Sequence, residues 1–189
     1  HARRNLAVRN AKAFVENLQE TLERQRNPAK AAPMAAYMKN KFLFLGLPRT
    51  ELQILVKPLL KEVKPFVTTT FLHESVRLLW KLPEREYQYV AIRLLYSQTK
   101  QASRRTLELI ETLVTQKSWW DTVDSLAGLV GKLVWRFPAW TQMIETYSTN
   151  ENFWLRRIAL LYQLSYREKT DQERLFRYCV ENAGEKEFF

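Results

Sequence analysis

One cysteine, Cys179, stands in 189 residues, so no disulfide framework can form and an intracellular, cytoplasmic setting is expected. Histidine is almost as rare, with His1 and His73 alone. Neither is spaced from the cysteine as metal ligands are, so no metal site and no cofactor are expected. His73, between Leu72 and Glu74, reads as a helix surface residue. Only 4 glycines are present, and there is no Gly-rich phosphate loop, nucleophile elbow, paired Cys and His or zinc-deaminase pattern. No stretch is long and apolar enough to span or anchor in a membrane. The chain opens His1-Ala2 without Met; this reads as a boundary and not a native start, and no signal peptide is visible.

What is present is helix-forming. Hydrophobic residues make up 46% and charged residues 26%, a globular balance, and 189 residues can bury a sizeable core as one domain. With Leu, Ala, Glu, Lys and Arg dominant, the expected class is all-α. The net charge is +10, which a polyanion partner explains most simply. Residues 1–41 hold 9 Lys and Arg against 3 Asp and Glu, residues 42–150 hold 14 against 10, and residues 151–189 hold 7 against 7. The basic excess is therefore N-terminal.

Apolar spacing predicts a first helix over about 6–24, ended by Arg26-Asn27-Pro28, then a small-residue segment over 29–41 containing Pro33, Met34, Tyr37 and Met38. The apolar loop Phe42-Leu43-Phe44-Leu45-Gly46-Leu47-Pro48 must be tucked against a neighbour. Thr50 is placed to cap a helix to about Glu62 that Pro58 should kink or interrupt. Further helices are predicted over about 68–80, 84–97, 103–116, 118–136, 138–147, 150–166 and 170–182, the last opened by a Thr170-Asp171-Gln172-Glu173 capping box. Val90-Ala91-Ile92 with Leu95-Tyr96 faintly matches Ile158-Ala159-Leu160 with Leu161-Tyr162, 68 residues apart, as stacked helical hairpins would.

The pattern organises itself around Lys117-Ser118-Trp119-Trp120-Asp121-Thr122-Val123-Asp124. Ser118 and Asp121 have capping-box spacing. Trp120 and Asp124, four apart, share a helix face. A carboxylate on an inward stripe must reach water in a cleft or find a cation. A second set is Asn152-Phe153-Trp154-Leu155-Arg156-Arg157: Trp154 and Arg157, three apart, share a face, while Arg156 points about 100° away. The plainer alternative for both sets is packed indoles with solvated or salt-bridged charges.

Five blocks together resemble the AlkD-type DNA alkylation repair family of HEAT-like-repeat glycosylases. They are Met34 to Gly46, Leu82 to Gln88, Lys117 to Asp124, Trp154 to Arg157, and Lys186-Glu187-Phe188-Phe189. They stand in the family's order over nearly the whole chain. The resemblance implies a right-handed α-α superhelix of HEAT-like hairpins with a concave basic face, residues 1–189 forming one glycosylase domain that lacks its native C-terminal helices and a further active-site Trp. It implies hydrolysis of the N-glycosidic bond of positively charged alkylated purines, N3-methyladenine and N7-methylguanine, in double-stranded DNA; a monomer is expected. It places the catalytic Asp on Asp124, the active-site Trp on Trp120, the essential Arg on Arg157 and a site-lining Tyr on Tyr37, with Lys39, Lys41 and Trp154 as further DNA contacts.

A purine alkylated on a ring nitrogen leaves as a neutral base, so no strong general acid is needed, while the deoxyribose gains oxocarbenium character. On this reading Asp124 stabilises that cation and positions water, Trp120 adds a cation–π contact, and Arg157 holds a backbone phosphate. Two other classes compete: a non-catalytic HEAT-like protein binding bent or branched DNA, and a protein-binding adaptor.

Overall fold

The computed structural model describes residues 10–186, so His1, the start of the first predicted helix and Glu187-Phe188-Phe189 lie outside the described residues. Among the described residues the regular structure is ten α-helices and four short 3-10 turns, with one isolated parallel bridge between Leu43 and Glu84. The all-α expectation holds. The chain divides into two compact units between Ser97 and Gln98.

The first unit carries α1 (Ala11–Glu23), α2 (Pro28–Tyr37), α3 (Arg49–Val63), α4 (Thr69–Lys81) and α5 (Arg85–Ser97). Asn10 caps α1 by accepting from the amides of Lys12 and Ala13, Asn27 caps α2 through Lys30, and Thr68 caps α4 through Phe71. Each satisfies an N–H that a first turn leaves without a partner. Phe14, Val15, Leu18 and Leu22 of α1 are buried with Phe71, Val76 and Leu79 of α4, and Phe14 meets Phe71 at 5.6 Å between centroids. Pro58 does not interrupt α3, which has Pro48 and not Thr50 at its N-cap and no side-chain cap. His73 is 7% exposed on the buried side of α4, not on the surface. The buried stripe of α4 takes in Phe71, Leu72, His73, Ser75 and Val76 and so is wide enough to include it.

The apolar loop at 42–48 is tucked in as its composition demands. Phe44, Leu45 and Leu47 are buried, and the fully buried carboxylate of Glu86 accepts from the backbone amides of Leu45 (3.0 Å), Gly46 (2.9 Å) and Leu47 (3.0 Å). Beside it, Arg85 lies 3.8 Å over the Phe42 ring and its amide donates to the Leu43 carbonyl. Gly46 has φ +87°, and a Cβ there would stand 2.0 Å from the Asn27 carbonyl, so only glycine fits. Glu86→Gln keeps the volume but turns an amide NH₂ toward an N–H donor. The expected loss is about 2 kcal/mol of unfolding free energy, read by denaturant titration.

The second unit carries α6 (Arg104–Val114), α7 (Trp120–Arg136), α8 (Thr141–Ser148), α9 (Phe153–Leu161) and α10 (Gln172–Glu181). At its centre α9 packs on α7, α8 and α10. The faint repeat thus falls on α5 and α9, each among the most deeply packed helices of its own unit. Gly131 of α7 lets α9 come close: a Cβ there would lie 2.0 Å from the Tyr162 carbonyl, and Tyr166 donates its hydroxyl to the Gly131 carbonyl at 2.7 Å. The cap of α10 is Asp171, which accepts from the Arg174 amide, while Thr170 donates back to Arg167; the predicted capping box on Thr170 is off by one residue.

Arg174 and Arg177 of α10 both reach Glu145 of α8. Burial alone would raise the Glu145 carboxyl, but the hydrogen bonds from the two arginines outweigh it and hold the group below its ordinary 4.5. A carboxyl depressed in the folded state contributes stability above its unfolded value that is lost as pH falls through its folded one. Acidification below about pH 4.5 should therefore lower Tm with a component that Glu145→Gln removes, measured by thermal melts across that range.

Candidate active site

The turn between α6 and α7 sets the site's entrance. Lys117 has φ +51°, and this left-handed residue redirects the chain after α6. Ser118 does not cap α7. Its hydroxyl donates to the Val114 carbonyl at 2.6 Å and so closes the end of α6, and the N-cap of α7 is Trp119, with no side-chain cap bond. The capping-box spacing is present, but the hydroxyl goes to a carbonyl at the end of the preceding helix and not to the amides ahead of it. α7 starts at Trp120, and Asp124 follows one turn later on the same face.

α9 is set by its own cap. Asn152 accepts from the Trp154 amide at 3.0 Å and Asn150 accepts from the Asn152 amide at 2.9 Å. Starting there, the helix buries Trp154, Leu155, Ile158 and Ala159 and turns Arg157 toward α7. The Arg157 guanidinium grips the Asp124 carboxylate at two points, Nε to Oδ1 at 2.6 Å and Nη2 to Oδ2 at 2.8 Å. Both side chains stay open to solvent, Asp124 at 36% and Arg157 at 22%. Arg156 turns the other way, donating to the carbonyls of Asn150 and Glu151 and pairing with Glu185. The two adjacent arginines divide as helical geometry requires, one structural and one at the site.

Trp154, read from the resemblance as a DNA contact, is 7% exposed and sits between Phe153 (4.5 Å) and Trp119 (5.9 Å). At that burial its ring serves packing between these neighbours more than contact with a partner. The sequence had singled Trp119 out only as part of its motif; its packing on Trp154 ties the start of α7 to the start of α9. Among the described residues no group of three or more His, Cys, Asp or Glu could hold a metal ion.

Tyr37, Lys39 and Lys41 belong to the first unit. Tyr37 is 69% exposed at the end of α2 and lines an apolar hollow of about 320 Å³ with Pro33, Met34, Met38, Phe44 and Tyr89. Lys39 and Asn40 follow with φ of +57° and +56°. The Asn40 amide donates to the Ala35 carbonyl and the Lys39 amide to that of Ala36, the pairing of a Schellman C-cap with lysine where glycine is usual. Lys39 and Lys41 are both exposed.

The two-point Arg157 and Asp124 pair joins α7 and α9, the helices that carry two of the five sequence blocks. The model of the family described as DNA alkylation repair enzyme matches residues 18–189. The chain belongs to that family. It is similar to a solved structure described as a predicted DNA alkylation repair enzyme from Enterococcus faecalis, with 36% identity and a TM-score of 0.81, covering 86% of this chain and 76% of that one. No curated protein matches it significantly. Membership makes DNA the expected partner and repair of alkylated DNA the expected role. No helix among the described residues is long and apolar enough to cross a membrane.

Proposed function

We propose that the chain, as one domain over residues 1–189, is a DNA glycosylase that hydrolyses the N-glycosidic bond of cationic alkylated purines such as N3-methyladenine and N7-methylguanine. The observation that carries this reading is the two-point Asp124 and Arg157 pair, partly open to solvent, one helical turn from Trp120. A carboxylate has about four lone-pair positions, and the Arg157 fork engages one on each oxygen. The carboxylate is therefore fixed in place while its outward side meets the sugar.

As the bond to a cationic base breaks, the base leaves neutral and C1′ becomes positive. Asp124 stabilises that charge and holds the attacking water, whose proton it accepts as the new C–O bond forms. Trp120 supplies about 0.5–2 kcal/mol of cation–π attraction. Arg157 orients Asp124 and meets a flanking phosphate. Tyr37, Lys39 and Lys41 bind DNA from the first unit, and affinity falls steeply with added salt.

The test is release of free base from methylated duplex DNA by the full chain. Free methylated purine with an equal yield of abasic sites is expected. Intact bases, or bases freed of their methyl group while still attached to the sugar, would overturn the reading. Arg157→Lys, which keeps the charge but cannot form the two-point fork, should slow release about 100-fold with little change in DNA binding.

A further inference from the structure

α7 is covered at Gly131 by Tyr162 and Tyr166 and opens to solvent again toward its C-terminal end, beyond Asp124. Trp135 lies eleven residues further on, which is about three turns and about 20° from Asp124 around the axis, at a distance of about 16 Å along it. It is 53% exposed, unusual for an indole with no core to fill. Tyr166 packs edge-on against it at 4.9 Å, and the Lys169 ammonium sits 5.9 Å over its face. Tyr166 is itself anchored by its hydroxyl on the Gly131 carbonyl, so the indole is held and not loose.

The charge around it is mostly positive. Lys132 and Arg136 flank Trp135 in sequence, and Arg167 and Lys169 follow its partner Tyr166, with one carboxylate, Glu168, between them. Arg167 has φ +53°, a conformation that glycine or asparagine adopts at lower cost than arginine. It stands beyond the last turn of α9, too far to serve that helix's dipole. Within the second unit the described non-glycine residues at positive φ are Lys117, just before α7, and Arg167, just after Tyr166. Cations are kept at both places where the backbone favours glycine.

We propose that Trp135, Arg167 and Lys169 form a second DNA contact, which holds the backbone flanking the lesion with cations and a sugar or unstacked base against the indole. The proposal rests on the glycosylase reading for the identity of the polyanion. A reach of about 16 Å corresponds to about five base pairs, so the contact lies on DNA well outside the reacting nucleotide. A protein partner is the competing occupant, and the excess of positive charge disfavours it.

The experiment is the affinity of the full chain for an unmodified duplex of about 20 base pairs across a salt series, with thermal melts of each variant. Trp135→Ala should weaken binding about tenfold. Arg167→Gly should reduce the slope of log affinity against log salt by about 0.9 while Tm holds or rises, an outcome that a merely structural arginine would not give. Wild-type binding that both folded variants match in affinity and slope would overturn the second contact and leave the surface to a protein, with the glycosylase reading standing. No DNA binding by the wild type would overturn both.

Discussion

Gly131→Ala is expected to cost about 3 kcal/mol and to lower Tm by roughly 6–12 °C for a chain of this size. The added methyl would stand 2.0 Å from the Tyr162 carbonyl, and that neighbour is backbone, so no rotamer change can relieve the clash. α9 would have to move off α7, and the Tyr166 hydroxyl would lose its seat on the Gly131 carbonyl. The intrinsic preference of a helix for alanine over glycine, about 1 kcal/mol in the other direction, is too small to compensate. The consequence reaches the site. Asp124 lies seven residues before Gly131 on α7, and Arg157 five before Tyr162 on α9, so the same helix contact that the methyl would break sets the register of the Asp124 and Arg157 pair. Thermal melts and base release measured on the same preparations should fall together. A variant with unchanged Tm would show that α7 and α9 tolerate separation at this crossing.

Local signals were legible where one residue answers to its neighbours. The helix predicted over about 68–80 forms over Thr69–Lys81, Phe44, Leu45 and Leu47 of the apolar loop at 42–48 are buried, and Arg156 and Arg157 part company as a 100° step requires. The failures are choices between near-equal local partners. Ser118 prefers the Val114 carbonyl behind it to the amides ahead, and Asp171 caps α10 in place of Thr170. Sequence patterns cannot rank these, because both options satisfy a helix end.

Long-range pairings were harder. The spacing within Trp120 to Asp124 required the carboxylate to find water or a cation, but nothing local named a guanidinium 33 residues away. Reading Arg157 as a phosphate ligand alone overlooked that Asp124 takes two of its nitrogens. Glu86 reaches back about 40 residues to three consecutive amides, and Trp135 gained its partners only when Tyr166 and Lys169 folded beside it.

The second large effect belongs to Asp124→Asn. Asparagine keeps the shape and one acceptor oxygen, so the helix and most of the packing should survive. It removes the negative charge that faces the developing oxocarbenium, and it turns an NH₂ toward the Arg157 guanidinium where a carboxylate oxygen had accepted. Loss of one fixed electrostatic group at a reacting centre is worth on the order of 10²–10³ in rate. DNA affinity should hold or improve, since a negative charge near phosphates is gone.

Single-turnover release of N7-methylguanine from duplex DNA, wild type against Asp124→Asn, is therefore the measurement that bears most directly on the account. A rate lower by on the order of 10²–10³, with Tm and salt-dependent DNA binding retained, is the predicted result. Equal rates in the two proteins, or no release from either while DNA binding persists, would contradict it.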